Sequence, residues 1–476
     1  MSEKYDVAII GAGIGGLVCG CYLAKAGLKV IIVEQQNKPG GYCTSFERQG
    51  YRFDVGVHYL GSLREKGVLS EILRGLDLLD RIKLIRNDPT DRIITPDKTI
   101  FIRKDQNKTI NELISHFPKE KENIKRLFNL IINEDFLSLY SKLRNRTFQD
   151  LLDIFLTDHK LKAILSTMLG NLGLSSSQSS GFVGAIIYKE FVLDGGYYPK
   201  GGIQNLPDLL AEKFREYGGV LLLSNRVTRI MTKQKKVMGV KLQDKGCIVS
   251  KFVVSNVDAH LTFNTLLDCE CNERKVVNKL KISNSAFVVY LGLKKQLNIK
   301  PKHFTTWFFS TYDIEKCYNF QSDKKKQLIP SFDYLLCSFP SLIDKSLVPS
   351  GKGIMRIFVG ARYASVKMWE NSKNELYNKI ITRASRMLPD LAESIELKVI
   401  GTPRSFYNYT SNRNGALFGW QALPSQTSKS IFPYQTSIKN LYLSGHWVTN
   451  GMGQSGISVV ALSGREAAKI IVSAKG

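Results

Sequence analysis

The run Gly11-Ala12-Gly13-Ile14-Gly15-Gly16 constrains this chain more than any other stretch. It follows a short β-rich run at 6–10 and opens a helix-forming segment at 17–26, which Gly27 ends. A second β-branched run at 29–33 closes on Glu34, 18 residues after Gly16. Strand, glycine turn, helix, strand and acid together predict a βαβ unit with a dinucleotide site at its first turn. Gly11 permits the tight turn, Gly13 lets the backbone approach a pyrophosphate, and Gly16 lets helix and strand pack closely. The helix that starts at Ile14 and Gly15 offers free N–H groups and a positive dipole end to phosphates. Glu34 can accept both hydroxyls of an adenosine ribose and disfavours a 2′-phosphate.

Two further glycine runs narrow the choice of dinucleotide. Pro39-Gly40-Gly41-Tyr42-Cys43-Thr44 comes directly after Glu34 and leads to Phe53-Asp54-Val55-Gly56-Val57-His58-Tyr59. A nicotinamide dehydrogenase would continue with regular βα units here. A glycine-rich loop instead lets the chain run along an extended cofactor. Near the C-terminus, Asn440-Leu441-Tyr442-Leu443-Ser444-Gly445-His446-Trp447 precedes Gly451-Met452-Gly453-Gln454-Ser455-Gly456 and a helical stretch at 457–472.

Together these strings resemble the FAD-dependent carotenoid (phytoene) desaturases, carotenoid isomerases and retinol saturases. The 53–59 run is most like the retinol saturase branch. Gly173-Leu174, the serines of 175–180 and the run 195–202 resemble the segment entering the second half of that family's FAD domain. Serines stand here where the family often has prolines, and no His lies between 160 and 259. The resemblance implies FAD as the cofactor. It carries FAD contacts onto Gly11, Gly13, Ile14, Gly15, Gly16, Glu34, Gly40, Gly41, Tyr42, Gly56, Val57, His58, Val227, Gly445, His446, Met452, Gly453, Gln454 and Ser455. A helix beginning near Gln454 would stabilise the negative charge of reduced flavin at its pyrimidine edge. No catalytic residue and no metal cluster stands out, and hydride chemistry at carbon requires neither.

The expected fold is α/β, a discontinuous two-dinucleotide-binding (Rossmann-type) FAD domain with an inserted α+β substrate domain. Residues 1–75, 195–275 and 395–476 would form the FAD domain. Residues 76–194, with apolar residues at helical spacing in 127–137 and 151–165, read as a mainly helical insertion for membrane and substrate entry. Residues 276–394 read as an α+β substrate domain.

Composition enters through charge. The formal net charge of +25 admits nucleic acid or an anionic membrane as a partner. The basic residues form no single block and no nucleic-acid-binding signature, so nucleic acid is not expected. Residues 76–194 carry 18 basic and 16 acidic residues, whereas 276–394 carry 19 and 9. The excess therefore lies away from the helical insertion, and a basic rim there would suit an anionic bilayer. Eight sparse cysteines fit a reducing cytoplasm, and no spanning segment is expected.

The expected activity is FAD-dependent redox chemistry on an apolar polyene or isoprenoid lipid at a membrane surface: desaturation, saturation or cis–trans isomerisation. No second GxGxxG unit is found for a docked nicotinamide, which points to a quinone, oxygen or the substrate as electron acceptor. Two alternatives share the fold: a flavin amine oxidase and a non-enzymatic prenyl-binding protein of the Rab escort type.

Overall fold

The computed structural model describes residues 4–244, 246–318, 327–429, 432–448 and 456–475. Two seven-stranded sheets dominate it. The first is built around the parallel strands Lys4–Ile10 and Val30–Val33, which pair from Val7↔Val30 to Ile10↔Val33. The paired residues 7–10 and 30–33 are all buried and are Val, Ile and one Ala, as a parallel strand covered on both faces requires. Val220–Leu222 adds beyond Val30–Val33, and Cys247–Ser255 pairs on the other side of Lys4–Ile10. Leu441–Leu443 runs parallel to the last residues of Cys247–Ser255, while an antiparallel hairpin, Val227–Lys233 with Lys236–Leu242, pairs with its first residues. The helices Ile14–Lys25 and Ile457–Lys475 pack together on one face; a Cβ at Gly464 would stand 2.2 Å from the Gly15 carbonyl oxygen.

The second sheet runs Ile395–Gly401, Ser285–Leu293, Gly353–Ala361, Tyr334–Ser338, Thr305–Phe309, Asp91–Ile94, Thr99–Ile102. Its last two strands come from the stretch read as mainly helical. That stretch also supplies Lys121–Asn133, Phe136–Leu143, Phe148–Phe155 and His159–Thr167. The two long apolar runs expected there are each broken by an aspartate that caps the next helix. Asp135 accepts from Ser138 N, and Asp158 accepts from Lys160 N and Leu161 N. No helix among the described residues is long and apolar enough to cross a membrane.

Strands of the first sheet end together. Ile10, Val33, Leu222, Ser255 and Leu443 deliver Gly11, Glu34, Asn225, Asn256 and Gly445 to one rim. Ligands bind α/β sheets at this carboxyl rim.

Candidate active site

A cavity of 570 Å³ opens along that rim and continues toward the second sheet. Its first end is made mainly of backbone. Glu34 is 9% exposed; its carboxylate accepts from Ala12 N at 2.8 Å and Gln36 N at 2.9 Å. Burial pushes this carboxyl above its ordinary range, and the backbone N–H groups oppose that shift. One acid thus ties the glycine turn to the second strand while lining the cavity beside Asn225 and Val227. The second glycine loop docks on the first: Gly40 N donates to the Ala12 carbonyl at 2.9 Å. Gly40 has φ +126° and no room for a side chain, since a Cβ would lie 2.5 Å from the Cys43 carbonyl oxygen.

The helix Ile14–Lys25 presents its start here without a side-chain cap on Gly13 and without an acid in its first turn. Its first N–H groups are therefore available to an anion. Asn256 fills the space that the glycines leave. Its Nδ2 donates to the Gly11 carbonyl at 3.3 Å and its Oδ1 accepts from Ser444 Oγ at 3.2 Å. A Cβ at Gly13, Gly15 or Gly445 would stand 2.9, 2.6 or 2.7 Å from its amide.

The middle of the cavity is walled by Tyr42, Gly56, Val57, His58, Tyr59 and His446. Tyr42 and His446 stack with ring centroids 6.1 Å apart. The loop carrying Val57 is fixed from the second sheet. Arg356, buried on Gly353–Ala361, donates to the Asp54 carbonyl at 3.1 Å and the Val57 carbonyl at 3.4 Å. Burial, with Arg356 nearby, pushes the His58 imidazole down to about 3. Burial also pushes His446 down to about 4, against the pull of Asp258. Both rings are neutral at neutral pH. Both keep a buried Nε2 without a hydrogen-bond partner among the described residues. These orphaned nitrogens, the uncapped helix start and the hollowed glycine loops fit an extended dinucleotide such as FAD.

The far end is different. Helix Gly181–Ile187 runs on as the wider turn Tyr188–Val192. Val183, Ile186, Ile187, Glu190 and Phe191 therefore fall at i, i+3, i+4, i+7 and i+8, one face, and all line the cavity. Phe358, Leu417 and Phe418 complete the wall. Glu190 is clamped by Arg64 at 2.7 Å and accepts from Ser62 Oγ at 2.6 Å. Burial pushes its carboxyl up; the Arg64 and Ser62 hydrogen bonds outweigh burial and hold it below its ordinary value.

Of the residues singled out from sequence, the cavity brings together Gly11, Gly13, Ile14, Glu34, Gly40, Gly41, Tyr42, Gly56, Val57, His58, Val227, Gly445 and His446. Gly15 and Gly16 do not line it. They are packing positions; a Cβ on Gly16 would lie 2.2 Å from the Gly11 carbonyl oxygen. Met452, Gly453, Gln454 and Ser455 lie outside the described residues. Sequence reasoning missed Asn256, Arg356 and the Arg64–Glu190 pair. Only the helical spacing from 183 to 191 carried a readable signal.

The family model for flavin-containing amine oxidoreductases matches residues 14–472. The chain is 27% identical over 508 residues to prolycopene isomerase 2 of an Oncidium hybrid cultivar, spanning 97% of this chain and 83% of that protein. It is 24% identical over 506 residues to all-trans-retinol 13,14-reductase of Danio rerio, spanning 93% and 82%. Among solved structures, putrescine oxidase bound to putrescine superposes with a TM-score of 0.68 at 16% identity, covering 99% of this chain and 100% of that one. An oxidoreductase from Methanosarcina mazei gives 0.67 at 18% identity, covering 98% and 100%.

Proposed function

Within the flavin-containing amine oxidoreductase family, to which this chain belongs, we propose that it acts on an apolar polyene or isoprenoid lipid. It is an FAD-dependent oxidoreductase of α/β fold. The observation that carries the substrate reading is the helix face at the far end of the cavity. Val183, Ile186, Ile187 and Phe191 offer apolar contact, and Glu190 is already neutralised by Arg64. A cationic amine would find no free carboxylate at this end among the described residues, whereas a hydrocarbon chain would strip water from apolar surface on both partners. Two relatives, a prolycopene isomerase and a retinol reductase, support the same reading by their names.

Bound FAD supplies a ring that takes up or returns a hydride. The residues of this chain bind and orient. Gly11, Gly13, Ile14 and Glu34 hold the dinucleotide, with Gly40, Gly41, Val227 and Gly445 along its length. Tyr42, His58 and His446 form the wall where cofactor and substrate meet. The neutral imidazoles add donors and acceptors without bringing charge into an apolar site. Residues 1–75, 195–275 and 395–476 serve the cofactor, and 76–194 with 276–394 serve the substrate. Such a substrate resides in a bilayer, so the enzyme works at a cytoplasmic membrane surface, with a quinone, oxygen or the polyene itself as electron acceptor.

The test is anaerobic incubation of the FAD-loaded protein with carotenoid and retinoid polyenes in liposomes, with the flavin oxidised and then reduced. A shift of the polyene absorbance is expected and separates desaturation, saturation and isomerisation by its direction and by the oxidation state left on the flavin. No change in either redox state, together with hydrogen peroxide released from an amine such as putrescine, overturns the reading.

A further inference from the structure

The apolar end of the cavity borders a second, much smaller one. Phe358, Leu417 and Phe418 wall both. The smaller space has a volume of 10 Å³. Its floor is one row of the second sheet. Trp307 lies opposite Leu336 and Leu336 opposite Phe358, so the three side chains share a face. Gly170 keeps the space open from above: a Cβ there would stand 2.5 Å from both Trp307 Cζ3 and Tyr318 Oη.

Hydroxyl groups border this otherwise apolar cup. Tyr318 Oη and Ser285 Oγ are buried and have no hydrogen-bond partner among the described residues. Tyr334 Oη accepts from Gly360 N at 2.6 Å, which occupies its oxygen and leaves its proton to donate. Buried hydroxyls are almost always partnered, because an unmade bond forfeits the hydration lost on burial. Two unpartnered hydroxyls and a third with its proton still to place, at one small space beside a substrate-sized cavity, call for an acceptor that the chain itself does not supply. About 10–15 Å³ of such volume holds one water-sized group.

We propose that this cup binds a single oxygen atom at the end of the substrate, so that the preferred polyene carries a terminal hydroxyl or carbonyl and is not a pure hydrocarbon. The inference rests on the polyene reading above. Tyr318 and Tyr334 donate to the oxygen, and Ser285 donates to it or accepts from it. A methyl terminus in the cup leaves the hydroxyls unpaired. Sites built to bond a hydroxyl reject analogues that lack it far more strongly than apolar pockets reject a missing methylene. The cup also gives the chain of the substrate a direction, and so selects which of its double bonds stands beside the wall of Tyr42, His58 and His446.

The experiment uses the FAD-loaded full chain and two polyene pairs in liposomes. One pair is all-trans-retinol and the hydrocarbon with a methyl group in place of its alcohol. The other is β-cryptoxanthin and β-carotene. Dissociation constants are read from the polyene absorbance. In at least one pair the hydroxylated member should bind about tenfold more tightly or better. Tyr318→Phe and Ser285→Ala, separately and together, should erase that preference, by weakening the hydroxylated member and by tightening or sparing the hydrocarbon, while leaving the flavin content unchanged. Two independent conservative variants guard against one that fails to fold. Equal binding of both members in both pairs overturns the inference and leaves the polyene reading standing. So does equal weakening of both members by the variants, which marks a packing role. So does a complex structure in which only a water meets these hydroxyls. Failure of every polyene to bind the wild-type protein removes the polyene reading and this inference with it.

Discussion

The two ends of the cavity are built by opposite means. The glycine end is backbone: glycines, strand termini and an uncapped helix start, tied by one carboxylate and one amide, Glu34 and Asn256. The far end is side chain: one helical face, three residues shared with a smaller cavity, and a neutralised ion pair. A site made of backbone tolerates almost no added atom, because the atom meets a neighbour that cannot turn away. A site made of side chains can repack, and volume-conserving changes there cost little. The first end should therefore fail abruptly on substitution and the second by degrees.

Gly16→Ala tests the abrupt case. The new Cβ would lie 2.2 Å from the Gly11 carbonyl oxygen, so helix and strand must separate. Overpacking of this kind costs about 1–3 kcal/mol or more and displaces the turn proposed to hold the dinucleotide. We expect complete loss of retained flavin, read from flavin released on heating, and a lower thermal midpoint. Full flavin retention would mean that the turn is less rigid than its packing implies. Glu34→Ala removes two backbone-to-carboxylate hydrogen bonds, each contributing about 1.5–3 kcal/mol, as well as the proposed ribose contact. Flavin occupancy should fall steeply without loss of fold by circular dichroism. Unchanged occupancy would refute the ribose assignment.

The seam between the ends responds to pH. His446 and His58 titrate near 4 and 3 in the folded protein, against 6.5 for an ordinary imidazole. Their folded values are depressed, so below pH 6.5 the unfolded chain binds more protons and stability falls as pH falls. Each histidine contributes a slope of up to about 1.4 kcal/mol per pH unit until its folded value is reached. Asp91, pushed up to about 6 by burial, acts in the opposite sense between about 4 and 6. The difference between wild type and His446→Gln isolates the imidazole. Denaturant midpoints measured from pH 7 to pH 5 should fall less steeply in the variant. Parallel curves would place His446 in contact with solvent.

How much of this was legible in sequence follows the same division. The first sheet could be read because its parallel strands carry local runs of Val, Ile and Leu bounded by glycine or a polar turn. The glycine loops could be read because a turn, a close approach and a packing contact each need a residue without a side chain. The strands Asp91–Ile94 and Thr99–Ile102 could not, since four residues within a helical stretch carry no period, and the hairpin they form joins the sheet only where Asp91–Ile94 meets Thr305–Phe309, some 200 residues away. Asn256 is one polar residue after a strand, a pattern shared by many loops; only its fit against five glycines marks it. The Arg64–Glu190 pair spans 126 residues and has no local signature.

Arg64→Gln tests the graded end. The Arg64 side chain is 38% exposed, so loss of the pair should be worth only about 1 kcal/mol, or about fivefold in polyene affinity. Flavin content should not change, since Arg64 does not line the cavity. A released Glu190 carboxylate should also let a cationic amine compete with the polyene. Unchanged polyene affinity with no amine competition would show that Glu190 finds another partner.

Cys43 stands where the two ends meet, and it should give the smallest effect. It lines the cavity, yet its side chain is buried and its Sγ lies 3.9 Å from the Ile203 carbonyl oxygen. Burial first, then Asp54 and Asp208, push the thiol well above its ordinary range, so no thiolate is available near neutral pH. A thiol in that state acts as a small apolar filler. Cys43→Ala should cost about 1 kcal/mol of stability and leave the flavin absorbance and reduction potential unchanged. The wild-type protein should resist alkylation at this position until it is unfolded. A shifted flavin potential in the variant would make Cys43 part of the cofactor's electrostatic surroundings, and the backbone end would then reach further into the cavity than its glycines indicate.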